Sequence, residues 1–152
     1  MRGRIILASA VSALALFGTA SAVGAARGSE GETGGRPFHA TLLGTNENLP
    51  VVGDPDATGE ANVTLNSGQG TVCWDITVDN VSEVILAHIH VGTADVNGPV
   101  VVDFNEPVNG LNGCVQSDPA LIKEIRKNPA GYYVNVHTVD HTGGAARGQL
   151  GT

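Results

Sequence analysis

Short runs of alternating apolar and polar residues, each stopped by glycine, asparagine, aspartate or proline, limit what this chain can fold into. From Thr71 to Val78, the residues Val72, Trp74, Ile76 and Val78 alternate with Cys73, Asp75 and Thr77. A period of two puts the first set on one face of a strand and the second on the other, which a helix of 3.6 residues per turn cannot do. Glu60–Asn66 alternates in the same way, and Ser67-Gly68-Gln69-Gly70 between the two runs is a hairpin signal. Phe38–Leu43, Val84–Val91, Val100–Phe104, Tyr132–His137 and Ala146–Leu150 read as further strands. Thr45–Gly59, rich in proline, glycine and aspartate, and Asn105–Ser117 read as loops.

One helix is expected near 119–127. Asp118 can cap it, Pro119 suits its first position, and Leu121, Ile122 and Ile125 give it an apolar stripe before Asn128-Pro129 ends it. Many short strands and a single helix predict an all-β fold, a Greek-key, immunoglobulin-like β-sandwich of about seven to eight strands.

The first residues read differently. Arg2 and Arg4 precede an apolar run from Ile5 to Phe17, and Ala20-Ser21-Ala22 follows as a small-residue cleavage site. That is the pattern of a secretory signal peptide over residues 1–22, with Ala26 as a second cleavage point. The apolar run is shorter than the roughly 20 residues that span a bilayer, so no membrane span is expected in the mature chain. A retained anchor is the alternative. Residues 23–37, glycine-rich and without a hydrophobic period, are expected to form a flexible tail, and 38–152 a single domain.

Cleavage after residue 22 removes Arg2 and Arg4 and takes the formal charge from −7 to −9. Phosphate backbones are bound largely through Lys and Arg, so nucleic acid is excluded as a partner. Export also favours pairing the two cysteines, Cys73 and Cys114, as a disulfide. Closing a loop of that length would stabilise the fold by about 4 kcal/mol in the chain-entropy picture. Two buried free thiols are the alternative, and no C-x-x-C spacing suggests a metal role.

The residues with the most chemistry are histidines. Ala87-His88-Ile89-His90-Val91 sets two imidazoles on one strand face, and Val134-Asn135-Val136-His137-Thr138 offers a third, with Asn135 on the same face. Three imidazoles are a ligand set that suits copper, zinc, iron or nickel. The same spacing also serves an exposed polar strand face or a hydrogen-bonded structural cluster. Ring nitrogens about 3–3.5 Å apart would allow one ion to be shared, given metal–nitrogen bonds of about 2.0–2.1 Å. His141, in the loop Asp140–Gly144, is a surface residue or a fourth ligand, and His39 should face solvent. Asp54 and Asp56 are loop acids of the kind that cap turns. The chain has no G-x-S-x-G elbow, H-E-x-x-H helix or P-loop.

Several segments together resemble one family. Phe38-His39-Ala40-Thr41-Leu42-Leu43-Gly44, Ala87-His88-Ile89-His90, Asn97-Gly98-Pro99-Val100-Val101, Tyr132-Tyr133-Val134-Asn135-Val136-His137-Thr138 and Gly144-Ala145-Ala146-Arg147-Gly148-Gln149-Leu150 look like the CHRD domain family, over Phe38–Leu150. That resemblance implies an exported β-sandwich domain, secreted or held at the cell envelope, and no defined reaction. The family is named for chordin, an extracellular growth-factor-binding protein, so the resemblance also implies an extracellular or envelope partner.

A second resemblance concerns the site. The order His88, His90, His137 and then Gly143-Gly144-Ala145-Ala146-Arg147 is similar to copper/zinc superoxide dismutases. In those enzymes an H-x-H strand and a later V-H strand ligate copper, and an arginine after a small-residue turn guides an anion to it. The resemblance implies His88, His90 and His137 as copper ligands and Arg147 in the anion-guiding role. The departure is that no histidine lies between His90 and His137. A bridging ligand and a zinc site are therefore not expected, and superoxide dismutase activity becomes the least favoured reading. Two readings stand ahead of it: a secreted copper-binding module, and an extracellular binding or structural module with a structural histidine cluster.

Overall fold

The computed structural model describes residues 34–104 and 111–152. The expected signal segment and most of the expected tail lie outside them, although Arg36 and Pro37 already belong to the first strand. Eight strands follow in chain order: β1 (Arg36–Leu43), β2 (Thr58–Asn66), β3 (Thr71–Asp79), β4 (Val84–Val91), β5 (Val100–Asp103), β6 (Asn112–Gln116), β7 (Tyr132–Thr138) and β8 (Ala146–Gln149). Among the described residues one α-helix, α1 (Pro119–Lys127), lies between β6 and β7.

The all-β class holds, but the strands form one sheet instead of the two sheets of an immunoglobulin-like sandwich. Their order is β5-β4-β7-β8-β1-β2-β3-β6, and every pairing is antiparallel. The β8–β1 seam joins two four-stranded halves through Leu43↔Arg147 and a bridge at His39↔Gly151. Curling brings the two ends together: Trp74 of β3 stacks on Phe104, just past β5, with ring centroids 4.3 Å apart. Alternation fixes which face of each strand is apolar. It does not fix which strands become neighbours, and that is where the expectation and the structure part.

The core fills the inside of the curl. Val72, Trp74 and Ile76 point inward as their alternation requires, with Phe38, Ala40, Leu42, Val63, Leu65, Ile89, Val134 and Val136. The helix begins and ends where its signals lie. The Asp118 side chain accepts from the Ala120 N–H at 2.8 Å, Pro119 occupies the first turn, and Ile122 and Ile125 are buried. Its Arg126 donates to the Ser67 hydroxyl at 2.8 Å.

The expected loop at 105–117 needs correction in its described part, because Asn112–Gln116 is edge strand β6. Cys114 lies directly opposite Cys73 on β3, and the two form the disulfide. The short sequence Asn112-Gly113-Cys114-Val115-Gln116 has little β character of its own, so partner and crosslink define the strand.

Strand β7 is buried on both faces throughout. Its inner face, Tyr132, Val134 and Val136, belongs to the core, whereas its outer face carries Tyr133, Asn135 and His137. Loops cover that outer face. Asn46 donates to the Arg147 carbonyl, Asn48 to the Ala94 carbonyl, Asn97 to the Asn48 carbonyl, and Asp54 N–H to the Ala145 carbonyl. The fold therefore holds a polar layer trapped between sheet and loops.

Candidate metal centre

Register assembles this layer. Across β4, β7 and β8 the pairs His88↔Asn135 and Asn135↔Arg147 form one lateral row, and His90↔Tyr133 and Tyr133↔Gln149 form the next. Cross-strand neighbours on one face lie within side-chain reach. His88 and His90 share a face by strand parity, and the β4–β7 pairing brings His137 to them.

The ligand atoms that His88, His90 and His137 can offer all lie within 4.8 Å of one another. His88 Nδ1 is 3.3 Å from His137 Nε2, inside the spacing that a shared ion needs. Each ring also has one nitrogen with a partner outside the group. His90 Nδ1 is 2.8 Å from the Gly98 carbonyl and His137 Nδ1 is 3.0 Å from the Thr142 carbonyl. A carbonyl can only accept, so both of these nitrogens carry the proton and both Nε2 atoms are left with a lone pair. His90 Nε2 is buried without a hydrogen-bond partner. On His88 it is Nε2 that lies 3.6 Å from the Asp103 carboxylate, which favours a proton there and frees Nδ1. Anchoring the second nitrogen of each imidazole in this way is the usual support of a metal-binding histidine.

Burial pushes all three imidazoles below their ordinary value near 6.5, and for His88 the neighbouring His137 adds to the effect. They are therefore neutral at pH 7, the form that binds a metal ion.

The surroundings are specific. Tyr133 stacks on His90 with ring centroids 4.9 Å apart and planes 9° from parallel, and the Arg147 guanidinium lies 3.6 Å from the Tyr133 centroid. The Tyr133 hydroxyl accepts from the Gly98 N–H at 3.1 Å, so one residue, Gly98, holds both rings of the stack. A Cβ at Gly98 would run into the Val91 carbonyl, so the position admits only glycine without a shift of backbone. Arg147 is 1% exposed. It donates to Asn97 Oδ1 and Val96 O at 3.0 Å, to Thr93 O at 3.2 Å and to Ala94 O at 3.4 Å. Its donors are thus committed to the 93–97 loop.

His141 is held apart from the three-histidine group, its Nδ1 at the Val52 carbonyl and its Nε2 3.8 Å from Asp54. His39 faces solvent beside Glu60, at 3.6 Å. Asp54 accepts from the Asp56 N–H at 3.2 Å, the turn-capping role expected of it.

Glu47 was not legible as a site residue. It follows the short 3₁₀ turn Gly44–Asn46 and enters the polar layer, where Oε1 is buried without a partner. Burial raises its pKa to about 7, against the lowering effects of Arg147 and of the Asn135 side chain. Nothing in the run Thr45-Asn46-Glu47-Asn48-Leu49-Pro50 distinguishes this acid from a surface one.

Neither a curated protein nor a solved structure gives a significant match to the chain. The profile of the CHRD domain matches residues 38–150, from the first core residue of β1 to the residue after β8. The chain belongs to the CHRD domain family.

Proposed function

We propose that this CHRD-domain protein is a secreted metal-binding module that takes up one copper ion through His88, His90 and His137. One observation carries the reading: the three imidazoles bring ligand nitrogens within 4.8 Å of one another, while Gly98, Thr142 and Asp103 each engage one nitrogen of a different ring. A donor set of neutral imidazoles suits copper, and among divalent first-row ions Cu(II) binds such sets most tightly. No thiolate joins the group, since the cysteines are paired with each other. An exported chain with a disulfide fits an extracellular or envelope location.

The ordering shared with superoxide dismutases extends to Arg147. Here, however, the guanidinium is spent on loop carbonyls, which supports binding over superoxide turnover. The contact between His88 Nδ1 and His137 Nε2 favours a second reading, a hydrogen-bonded structural pair. Equilibrium dialysis of the exported protein against Cu(II) separates the two. The metal reading expects one equivalent per chain, lost in His90→Ala. Unaltered stoichiometric uptake in that variant would sink the metal assignment, and the structural reading expects histidine substitutions to cost stability without changing metal content.

A further inference from the structure

Arg147 is a buried cation whose side-chain donors go to an amide oxygen and backbone carbonyls, none of them an anion. A buried charge without a counter-charge is costly. Among the described residues, Glu47 is a buried acid whose charge Arg147 influences. Gly144 makes room for that carboxyl: its φ is +143°, and a Cβ there would stand 2.7 Å from Glu47 Oε1. The Asn135 side chain meets the same carboxyl. Asn135 is also the cross-strand partner of both His88 and Arg147 and lies on the face of His137. Glu47 is therefore one side chain removed from the histidine group without being part of it.

We propose that Glu47 is the charge-compensating residue of the three-histidine site, releasing its proton to solvent when a divalent cation is taken up and keeping the negative charge that the cation and Arg147 together require. The inference rests on the metal-binding reading. A dication added to a layer that already contains a guanidinium favours the ionised form of a nearby carboxyl. Any proton the histidines exchange is common to wild type and Glu47→Gln and cancels in the comparison. Asp103 of β5, 3.6 Å from His88 Nε2, is the acid on the histidine side of the site, and the remaining charged groups described near the layer are engaged elsewhere. Asp54 and His141, from the loops on either side of Gly53 and Gly144, pair with each other, and exposed Asp95 accepts from the Thr93 hydroxyl at 2.7 Å.

The test uses CuCl₂ and the full mature chain. Cu(II) affinity is measured from pH 6 to pH 8, together with protons released per ion, from calorimetry in buffers of different ionisation enthalpy. For one proton exchanged by a group that titrates near pH 7, the ratio of wild-type to Glu47→Gln affinity grows about tenfold between pH 6 and pH 8. At pH 6 the wild type releases close to one proton more per ion than the variant. Glu60→Gln, an exposed acid beside His39, leaves both quantities at wild-type values.

A constant affinity ratio with equal proton release would overturn the inference while leaving the metal site standing. Absence of Cu(II) uptake by the wild type would overturn the site and the inference together. Should Glu47→Gln fail to fold, infrared difference spectra of the wild type at pH 6 decide the matter. The protonated-carboxyl band disappears on Cu(II) addition if Glu47 ionises, and its persistence would refute the proposal.

Discussion

Replacing Arg147 with methionine tests whether the loop over the polar layer is held from below. The substitution keeps a long apolar stem and deletes a planar cation that donates to Thr93 O, Val96 O and Asn97 Oδ1 at 3.0–3.2 Å, and to Ala94 O at 3.4 Å. Each buried acceptor left unpaired costs about 1–3 kcal/mol. Two terms oppose that loss. Removing a buried guanidinium relieves its desolvation, and a loosened loop can turn its carbonyls to water. We expect a net loss of about 3 kcal/mol, a large share of the roughly 5–15 kcal/mol that stabilises a typical domain.

Urea unfolding should show this as a lower midpoint with an unchanged slope. Hydrogen exchange should show it as faster exchange at Gly98, whose N–H is held by the Tyr133 hydroxyl beneath the guanidinium. Because the Gly98 carbonyl anchors His90 Nδ1, Cu(II) affinity should also fall, by about 10–100-fold as for other lost supports of a ligand. Arg147→Lys keeps the charge but not the planar fork, and should fall between the two. A methionine variant within about 0.5 kcal/mol of wild type, with Gly98 exchange unchanged, would show that Arg147 does not hold the 93–97 loop.

Three further outcomes follow from the same structure. Removing the Cys73–Cys114 crosslink, which spans 41 residues, should lower stability by about 4 kcal/mol in denaturant titrations of the Cys73→Ser/Cys114→Ser double variant. Because burial holds His88, His90 and His137 below their ordinary range, their contribution is intact above about pH 6.5 and is lost as pH falls through their lowered values. Metal-free protein should thus lose stability on acidification from that point, and a variant with all three changed to glutamine should lose less. Glu47 has the opposite sign. Its raised pKa, about 7, means that stability present at low pH is lost as pH rises through neutrality. Metal-free Glu47→Gln should therefore exceed wild type in thermal stability at pH 8 by about 1–2 kcal/mol after allowance for solvent screening, and match it at pH 4.

How far the sequence could be read depended on whether each signal was local. The alternation at Thr71–Val78 and the cap, proline and apolar stripe of Asp118–Lys127 are carried by residues a few positions apart, and those elements form where expected. Strand parity likewise places His88 and His90 on one face. Strand β6 lies inside Asn105–Ser117, a run that reads as loop, and its strand character comes from Cys73 and its neighbours far away in the chain. The merging of two halves into one curled sheet depends on the sparse β8–β1 seam, which leaves no mark on either strand. Within the site, the order of His88, His90 and His137 could be read, whereas their convergence needed the β4–β7 register. The roles of Gly98, Thr142 and Glu47 were out of reach, because each comes from a loop whose path is set by tertiary hydrogen bonds.

Whether His88, His90 and His137 hold one ion through defined atoms is decided by a crystal of copper-loaded protein, with anomalous difference density recorded at the copper edge. A single peak is expected about 2.0–2.2 Å from His88 Nδ1, His90 Nε2 and His137 Nε2, with the Gly98 and Thr142 carbonyls still on the opposite ring nitrogens. A peak at His39 or His141, or no ordered copper at any imidazole, would contradict it.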